Sequence, residues 1–247
     1  MNIVIPVAGA GRRFREAGYV QPKMLIEAAE RPMLYWALDS LFPGFKQENL
    51  LIVCLKEHLR RTYLWDVVRS AFPEANVVSI PGVSRGQAET VYLAREHYKE
   101  DEPLIIYNCD TYMRGRAAHT ISRLDPDIDG LISVFQSTDP SMSYVDLDAD
   151  GSVRSVREKE VISSWATTGL YYFASTRRFL ALVEEAFKEP LPAEGEWYVA
   201  PLYNRLIERG GKVAVDYADC CYPLGTPQQL SVFIDALPGL DKLYPTN

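Results

Sequence analysis

The chain has 247 residues, of which 47% are hydrophobic and 24% charged, and its formal net charge is −7. This length and composition predict a globular protein with a sizeable core, organised as one domain over 1–247. The negative charge argues against a basic face for nucleic acid but allows a local cationic pocket. No segment is long enough to span a bilayer, and the N-terminus enters a strand without a secretion signal. The four cysteines lack metal-ligand spacing, so we expect a cytoplasmic protein with free thiols.

Apolar runs alternate with amphipathic segments through the first half of the chain. The runs at 3–8, 50–55, 77–80 and 104–107 have strand character, and the segments between them place apolar residues on one helical face. This alternation is typical of an α/β fold in which helices connect parallel strands by right-handed crossovers.

The second half of the chain has a different pattern. Runs at 131–135, 143–147, 153–157 and 166–173 predict strands, and a hairpin turn at 148–151 joins two of them, so we expect a mixed or antiparallel extension. A final helix is predicted with Thr226 as its N-cap and four apolar side chains on its buried face: Leu230, Phe233, Ile234 and Leu237.

Two glycines and two arginines follow the first predicted strand at once. Gly9 and Gly11 leave backbone N–H groups uncovered, so a phosphate can approach them closely. Arg12, Arg13 and Lys23 bring three cations to the same strand end, which favours polyanion binding. A tight turn with solvated arginines is an equally good interpretation of this motif alone, because short glycine patterns are weak evidence.

Two familiar phosphate loops do not match this glycine motif. The dinucleotide fingerprint requires a third glycine where Phe14 stands, and an acidic residue after the next strand, where Lys56 stands. The P-loop requires Gly-Lys followed by Ser or Thr, and no such triplet follows either glycine. The motif therefore indicates another kind of phosphate site.

Asp110 is the best candidate for chemistry among the acidic residues. It follows the predicted strand at 104–107, which places it at the sheet edge where open α/β folds bind ligands. A carboxylate there suits Mg²⁺, and an N-cap or Asx turn is the alternative.

The histidines, His58, His97 and His119, have no partner spacing, so we expect surface or capping residues. No Gly-x-Ser-x-Gly elbow supports a nucleophilic serine.

Three motifs occur together and in one order along the chain. They are Gly9-Ala-Gly-Arg-Arg-Phe14 with Pro22-Lys23, Gly86-Gln-Ala-Glu-Thr90, and Asn108-Cys-Asp-Thr-Tyr112. Together they resemble the nucleotidyltransferases that make nucleotide-activated sugars, the group around glucose-1-phosphate thymidylyl- and uridylyltransferases. Short single-domain members of the bacterial capsule and lipopolysaccharide type are the most similar. The resemblance continues to the end of the chain in Arg157-Glu-Lys159, Ala166-Thr-Thr-Gly-Leu-Tyr-Tyr-Phe173, Glu196-Trp-Tyr-Val-Ala-Pro-Leu-Tyr-Asn204 and Leu224-Gly-Thr-Pro227.

The resemblance implies a fold, partners and a cofactor. The fold would be α/β and three-layered, with a mostly parallel central mixed sheet of the GT-A-like nucleotidyltransferase type and a small antiparallel extension. Residues 1–125 would form the nucleotide-binding half and 126–247 the acceptor-binding half. The implied partners are an NTP and a phosphorylated small-molecule acceptor, and the implied cofactor is Mg²⁺. Neither nucleic acid nor a membrane is expected as a partner, and the oligomeric state, including a homo-oligomer, stays open.

The resemblance also implies roles for individual residues. Arg12 would hold the β- and γ-phosphates, Lys23 the α-phosphate and transition state, and Asp110 the Mg²⁺, which makes these three the catalytic residues. Arg13 receives no role, and we expect it to be solvated. The implied nucleotide-binding residues are Ala8, Gly9, Ala10, Gly11, Arg12, Lys23, Gly86, Gln87 and Asn108. The implied acceptor-binding residues are Tyr112, Glu158, Lys159, Gly169 and Glu196.

Two positions depart from the pattern of the family. Many members carry a second metal-binding aspartate immediately before the Gly-Thr pair, where this chain has Leu224. Asp219 is the candidate replacement, with solvent exposure as the alternative. The thymidylyl and uridylyl enzymes usually have a glutamine where this chain has Pro81, so the choice of base stays open, cytidine and guanosine included.

Three classes of function remain. The first is a Mg²⁺-dependent transfer from an NTP to a sugar 1-phosphate, giving an NDP-sugar for surface polysaccharide synthesis and pyrophosphate. Cytidylyl transfer onto a non-sugar phosphate or phosphonate is its nearest variant. The second is a GT-A-type glycosyltransferase, which usually shows an Asp-x-Asp motif where this chain has Asp110-Thr-Tyr112. The third, suggested by Leu224 alone, is a nucleotide-binding module with weakened catalysis.

Overall fold

The computed structural model describes residues 1–42, 44–192 and 195–243, so the domain predicted over 1–247 includes residues outside this description. The described strands are β1 (Asn2–Val7), β2 (Glu27–Ala28), β3 (Arg31–Pro32), β4 (Leu50–Leu55), β5 (Asn76–Ile80), β6 (Leu104–Tyr107), β7 (Thr111–Arg114), β8 (Ile128–Gln136), β9 (Ser143–Leu147), β10 (Val153–Glu158), β11 (Trp165–Phe173), β12 (Lys212–Tyr217) and β13 (Cys220–Pro223).

Helices alternate with these strands in the first half and are sparser in the second. The described helices are α1 (Arg12–Glu16), α2 (Met33–Asp39), α3 (Lys56–Arg61), α4 (Leu64–Ala71), α5 (Gln87–Leu93), α6 (Ala117–Ile121), α7 (Thr176–Ala186), α8 (Leu202–Glu208) and α9 (Pro227–Leu243). Short 3-10 turns lie at Lys23–Leu25, Gln47–Asn49 and Arg95–His97. Within the described ranges, no helix is both long and apolar enough to cross a membrane.

One mixed sheet runs through both halves of the chain, with nine strands among the described residues. Strands β5, β4, β1 and β6 are adjacent and parallel. The long strand β11 is antiparallel to β6 and to β8, and β12 is parallel to β8. The hairpin of β9 and β10 extends the sheet from the start of β11. The predicted mostly parallel mixed sheet with a small antiparallel extension is confirmed.

Alternation along the central strands places two cores on opposite faces of the sheet, as period-two side-chain geometry requires. Val4 and Leu51 belong to one core, which α5, α7 and α8 cover. Ile3 and Ile52 belong to the other, which α2, α4 and α6 cover. The result is three layers, and the carboxyl ends of β1, β4, β5 and β6 meet at one edge of the middle layer.

A third apolar cluster anchors the C-terminal helix α9. Phe233 packs against Tyr112 and Trp36, with ring centroids 5.0 and 5.3 Å apart. Tyr112 is 1% exposed, so it belongs to this core and does not face the sheet edge as an acceptor ligand would. Ile234, predicted on the buried face of α9, is 38% exposed, and that prediction was wrong.

His58 on α3 is also placed differently from the prediction of a surface or capping residue. It is 8% exposed, and its Nδ1 atom has no hydrogen-bond partner among the described residues. Burial lowers the pKa of His58, and the neighbouring Glu57 opposes this only in part. The folded protein therefore holds this imidazole neutral at a pH where the unfolded chain already takes up a proton.

We expect His58 to weaken the fold in mild acid. Because its folded pKa lies below its unfolded pKa of about 6.5, its contribution is constant above that value. The free energy of unfolding then falls as pH drops below it, by at most about 1.4 kcal/mol per pH unit. Urea unfolding at pH 7.5 and 5.5 should show a smaller pH dependence for His58→Gln than for wild type, whereas the exposed control His97→Gln should match wild type. Equal pH dependence in wild type and His58→Gln would contradict this role.

Candidate active site

A cleft of about 880 Å³ opens at the carboxyl edge of the parallel strands. Its walls come from the loops after β1, β5 and β6 on one side and from β9, β10, β11 and residues 195–198 on the other. Most of the residues singled out from the sequence line it: Ala8, Gly9, Ala10, Gly11, Arg12, Lys23, Gly86, Gln87, Asn108, Asp110, Glu158, Lys159 and Glu196. Tyr112, Gly169 and Asp219 lie outside its lining.

The glycine loop turns the chain from β1 into α1 at the floor of the cleft. Gly11 has a φ of 60°, in the left-handed region where a side chain would be strained. Phe14 is 1% exposed and anchors the short helix that follows. Arg12 and Arg13 therefore lie on a turn that the buried Phe14 side chain anchors to the core, and both line the cleft.

Arg13 was expected to be solvated and unassigned. Its side chain is exposed and lines the cleft. Hydrogen bonds from Ser141, reinforced by Gln229 and the charge of Arg13, hold the pKa of the Asp139 carboxyl below its usual value. Sequence reasoning missed this arrangement because residue 139 lies far along the chain from the glycine loop.

Lys23 and Asp110 meet inside the cleft. The ammonium of Lys23 donates to Asp110 Oδ2, and the two side chains are 22% and 21% exposed. The buried residues Met24 and Leu25 hold the 3-10 turn that carries Lys23. The backbone carbonyl of Asp110 accepts from the Leu224 N–H at 2.7 Å, which fixes the loop after β6. Two elements distant in sequence thus place a cation and a carboxylate side by side.

Gly86 permits a close backbone approach between the two halves of the chain. The N–H of Trp197 donates to the Arg85 carbonyl at 2.7 Å, and the N–H of Ala88 donates to the Trp197 carbonyl at 2.9 Å. A Cβ atom on Gly86 would lie 2.5 Å from the Trp197 nitrogen. Glycine at this position therefore docks the 195–198 segment against the start of α5.

Asn108 is positioned by its neighbours on both sides. Gln87 Nε2 donates to Asn108 Oδ1 at 2.6 Å, and the Asn108 N–H donates to the Gly169 carbonyl at 3.2 Å. A Cβ atom on Gly169 would lie 2.3 Å from Asn108 Nδ2. Gly169 thus lies outside the cleft but positions Asn108, because it leaves room for the Asn108 side chain and its carbonyl accepts from the Asn108 N–H.

Lys159 stands on the opposite wall, at the end of β10. Its backbone has a φ of 56°, and its N–H donates to the Met142 carbonyl at 2.9 Å. Its Nζ atom donates to Tyr198 Oη at 2.7 Å. Burial lowers the pKa of Lys159, but the Tyr198 hydroxyl and the carboxylates of Glu158 and Glu196 outweigh it and raise that pKa overall. Lys159 is therefore a cation at neutral pH.

Tyr198 was not singled out from the sequence, although it belongs to the motif that begins at Glu196. Its hydroxyl is the hydrogen-bond acceptor for Lys159, and its ring centroid lies 4.8 Å from Lys159 Nζ. Glu158, beside it, accepts from the Ser143 hydroxyl and has further interactions. Cys109 also lines the cleft, but burial raises the pKa of its thiol to about 12, so it supplies no thiolate nucleophile near pH 7.

The segment that follows β12 brings no carboxylate to the cleft. Asp219 is exposed, and its backbone N–H donates to the Arg114 carbonyl at 2.8 Å outside the cleft. Leu224 is fully buried in the cluster under α9, while Pro223 and Gly225 face the cleft. Within the part of the chain that the structure describes, no three His, Cys, Asp or Glu side chains gather as a metal site.

Comparison with known proteins gives this cleft a family. The family model described as nucleotidyl transferase matches residues 2–197, which is most of the chain. The chain belongs to the nucleotidyl transferase family. It is accordingly a nucleotidyltransferase enzyme, and the matched region contains both walls of the cleft except for Tyr198 and the residues from 200 onward.

Solved structures of other nucleotidyltransferases share the fold over nearly their whole length. The crystal structure named nucleoside-diphosphate-sugar pyrophosphorylase, from Vibrio cholerae RC9, is 27% identical with a TM-score of 0.77, covering 94% of this chain and 99% of that one. A putative glucose-1-phosphate thymidylyltransferase from Bacillus anthracis, in complex with a sucrose, is 20% identical with a TM-score of 0.77 and coverages of 96% and 94%. The inositol-1-phosphate CTP transferase from T. maritima is 16% identical with a TM-score of 0.74 and coverages of 98% and 96%. The last two show the shared fold alone.

Proposed function

We propose that this nucleotidyltransferase moves a nucleotidyl group from an NTP to the phosphate of a sugar 1-phosphate, releasing pyrophosphate. The product would be an NDP-sugar, a precursor for surface polysaccharide made in the cytoplasm. The observation that carries this proposal is the distribution of cations in one cleft. Arg12, Arg13 and Lys23 lie on the glycine-loop side, and Lys159 follows β10 at the opposite end of the sheet. Arg85 also lines the cleft but is paired with Glu89. Two phosphate-bearing substrates facing each other would require such an arrangement.

The chemistry of the transfer matches the residues that are present. An oxygen of the acceptor phosphate attacks the α-phosphorus, the bond from that phosphorus to the β-phosphate oxygen breaks, and pyrophosphate leaves. An acceptor phosphate is already an anion at pH 7, so the reaction needs charge neutralisation and in-line positioning and no general base. We assign Lys23 to the α-phosphate, Arg12 with Arg13 to the leaving phosphates, and Lys159 to the acceptor phosphate.

The donor set in the cleft fits Mg²⁺. This ion takes one or two carboxylates together with substrate phosphate oxygens and waters. Asp110 presents a carboxylate beside a small space that the missing side chain of Gly225 leaves open. Bound there, Mg²⁺ would neutralise charge on the phosphates. Asp219, which lies outside the lining of the cleft, has no part in the proposed site.

The residues of the cleft constrain the identities of the base and the acceptor less than they constrain the binding of phosphates. In the loop after β5, Ser84 Oγ is hydrogen-bonded to Thr90 Oγ1 at 2.5 Å, and Arg85 pairs with Glu89 at 2.6 Å. With these side chains engaged, and Gln87 Nε2 donating to Asn108, we assign recognition of the base to backbone groups and the Gln87 carboxamide oxygen. The name of the Vibrio structure supports a sugar phosphate acceptor. Pro81, in place of the usual glutamine, leaves the choice of base open. Cytidylyl transfer onto a non-sugar phosphate or phosphonate is therefore the second candidate.

A panel of NTPs and phosphorylated acceptors tests the proposal. We expect the purified protein with Mg²⁺ to release pyrophosphate with one NTP and one sugar 1-phosphate, and only when both are present. Pyrophosphate release with CTP and a non-sugar phosphate alone would select the second candidate. If no pair releases pyrophosphate while a nucleotide sugar is consumed, the proposal fails in favour of a glycosyltransferase, which has little use for three cations around a triphosphate.

A further inference from the structure

We propose that Gln229, on the first turn of α9, supplies the second protein oxygen beside Asp110 for the divalent cation. This inference rests on the proposed function, because it assumes that an NTP and its metal bind in this cleft. The residues at 223–225, where the resemblance leads one to expect a second aspartate, carry no side-chain oxygen. A helix neighbour would supply what that segment does not.

The geometry around Gly225 is the first support. A Cβ atom on Gly225 would lie 3.1 Å from Gln229 Oε1, 3.2 Å from Asp110 Oδ2 and 3.7 Å from Lys23 Nζ. Two acceptor oxygens and one ammonium therefore border the same small space. Two such oxygens repel each other unless positive charge lies between or beside them. The Lys23 ammonium meets this need in the structure. With Lys23 on the α-phosphate, as proposed above, a divalent cation would take its place.

The orientation of the Gln229 carboxamide is the second support. Gln229 Nε2 donates to Asp139 Oδ2 at 3.4 Å. An ionised carboxylate can only accept hydrogen bonds, so the amide nitrogen must face Asp139. The amide oxygen then lies on the other side, beside the space next to Gly225 that Asp110 Oδ2 also borders. Carboxamide oxygens, like carboxylates, are hard ligands of the kind that group 2 cations take.

Both partners of this amide are held in place. The Ser141 N–H donates to Asp139 Oδ1 at 2.9 Å, which fixes the carboxylate. The Gln229 backbone N–H donates to Thr226 Oγ1 at 3.1 Å, the N-cap interaction that fixes the first turn of α9. Gln229 thus contacts Asp139 in the loop after β8 and borders the same space as Asp110 in the loop after β6. In metal sites, partners of this kind that orient a ligand typically contribute 10–100-fold, as an order of magnitude, to affinity.

Binding of Mn²⁺ tests the inference without relying on turnover. Free Mn²⁺ is followed by electron paramagnetic resonance during titration into protein saturated with the NTP that is active in the panel, with no acceptor present. We expect Gln229→Ala to raise the Mn²⁺ Kd at least about 10-fold. Asp139→Ala should act in the same direction. Gly225→Ala, which places a methyl group in the shared space, should also weaken Mn²⁺ binding.

Matched controls separate this role from general damage. Gln228 is the exposed neighbour of Gln229 on the same helix turn, and Gln228→Ala should keep the wild-type Kd. Gly239→Ala is the control for the glycine change, because a Cβ atom there would meet nothing within 4 Å. NTP affinity measured in EDTA should be unchanged in Gln229→Ala.

An unchanged Mn²⁺ Kd in Gln229→Ala overturns the inference while leaving the proposed function intact, provided that wild type still releases pyrophosphate. If Gln229→Ala weakens NTP binding in EDTA by the same factor as it weakens Mn²⁺ binding, the inference is also overturned, because Gln229 would then act on Lys23 or the nucleotide. A wild type that releases pyrophosphate with no pair of substrates overturns the proposed function instead.

Discussion

Replacing Lys23 by alanine is expected to lower the rate of pyrophosphate release by at least about 100-fold, the usual cost of losing one charge contact to a transition state. Lys23 lies beside Asp110 at the centre of the cleft. No other lysine among the described residues that line the cleft is on this wall, since Lys159 stands on the opposite one. The remaining arginines on the glycine loop would hold the leaving phosphates but leave the α-phosphate without its cation.

The fold should survive this change. The side chains of Lys23 and Asp110 are 22% and 21% exposed, so the loss of this ion pair is expected to cost between about 1 kcal/mol, as for an exposed pair, and about 3 kcal/mol, as for a buried one. Lys46→Ala is the matched control, because Lys46 is exposed and pairs with the exposed Glu48 at 3.7 Å. Rates are measured by pyrophosphate release, and folding by thermal melting. Retention of wild-type turnover in Lys23→Ala would remove this residue from the mechanism.

Among Gly→Ala substitutions at the glycines that line the cleft, we expect Gly86→Ala to lower the free energy of unfolding the most. The φ of Gly86 is 132°, which a side chain rarely adopts, and the added Cβ would lie 2.5 Å from backbone of Trp197. Strained backbone conformations of this kind cost of order 1–3 kcal/mol, and the contact with Trp197 adds to this. For a domain of this size, a loss of about 3 kcal/mol lowers Tm by roughly 6–12 °C.

The same change should act selectively on the acceptor. Relief of the clash would move the 195–198 segment, which carries Glu196 and Tyr198, away from the start of α5. We therefore expect KM for the acceptor to rise more than KM for the NTP. Gly82→Ala, in the same loop, is the control, because a Cβ atom there meets nothing within 4 Å. Equal stability and acceptor KM in Gly86→Ala and Gly82→Ala would contradict the docking role of Gly86.

Local sequence pattern was enough to predict the parallel strands and the residues at their carboxyl ends. Buried strands such as β1, β4 and β6 are continuous apolar runs. Because parallel strands have their carboxyl ends at one edge of the sheet, Gly11 after β1 and Asp110 after β6 are expected at the same cleft. The mixed sheet is confirmed for the same reason. The roles given to individual cleft residues stay predictions that the experiments above test.

Contacts between segments distant in the chain could not be predicted from the local sequence pattern. Tyr112 follows a strand end, as a ligand would, but its ring is buried because α9 folds back over it. Gln229 and Asp139 lie 90 residues apart, and only the packing of α9 brings them to Asp110. His58 lies among charged residues typical of a surface helix, yet it is 8% exposed. Each of these depends on tertiary placement that one sequence does not encode in a local signal.

The central claim is that the phosphate oxygen of an acceptor attacks the α-phosphorus of an NTP in this cleft. The most direct measurement uses the active pair from the panel with ¹⁸O at the three non-bridging oxygens of the acceptor phosphate, followed by mass spectrometry of both products. We expect the nucleotide-linked product to retain all of the label and the pyrophosphate to carry none. Label in the pyrophosphate, or free labelled phosphate beside a transferred sugar, would contradict the claim.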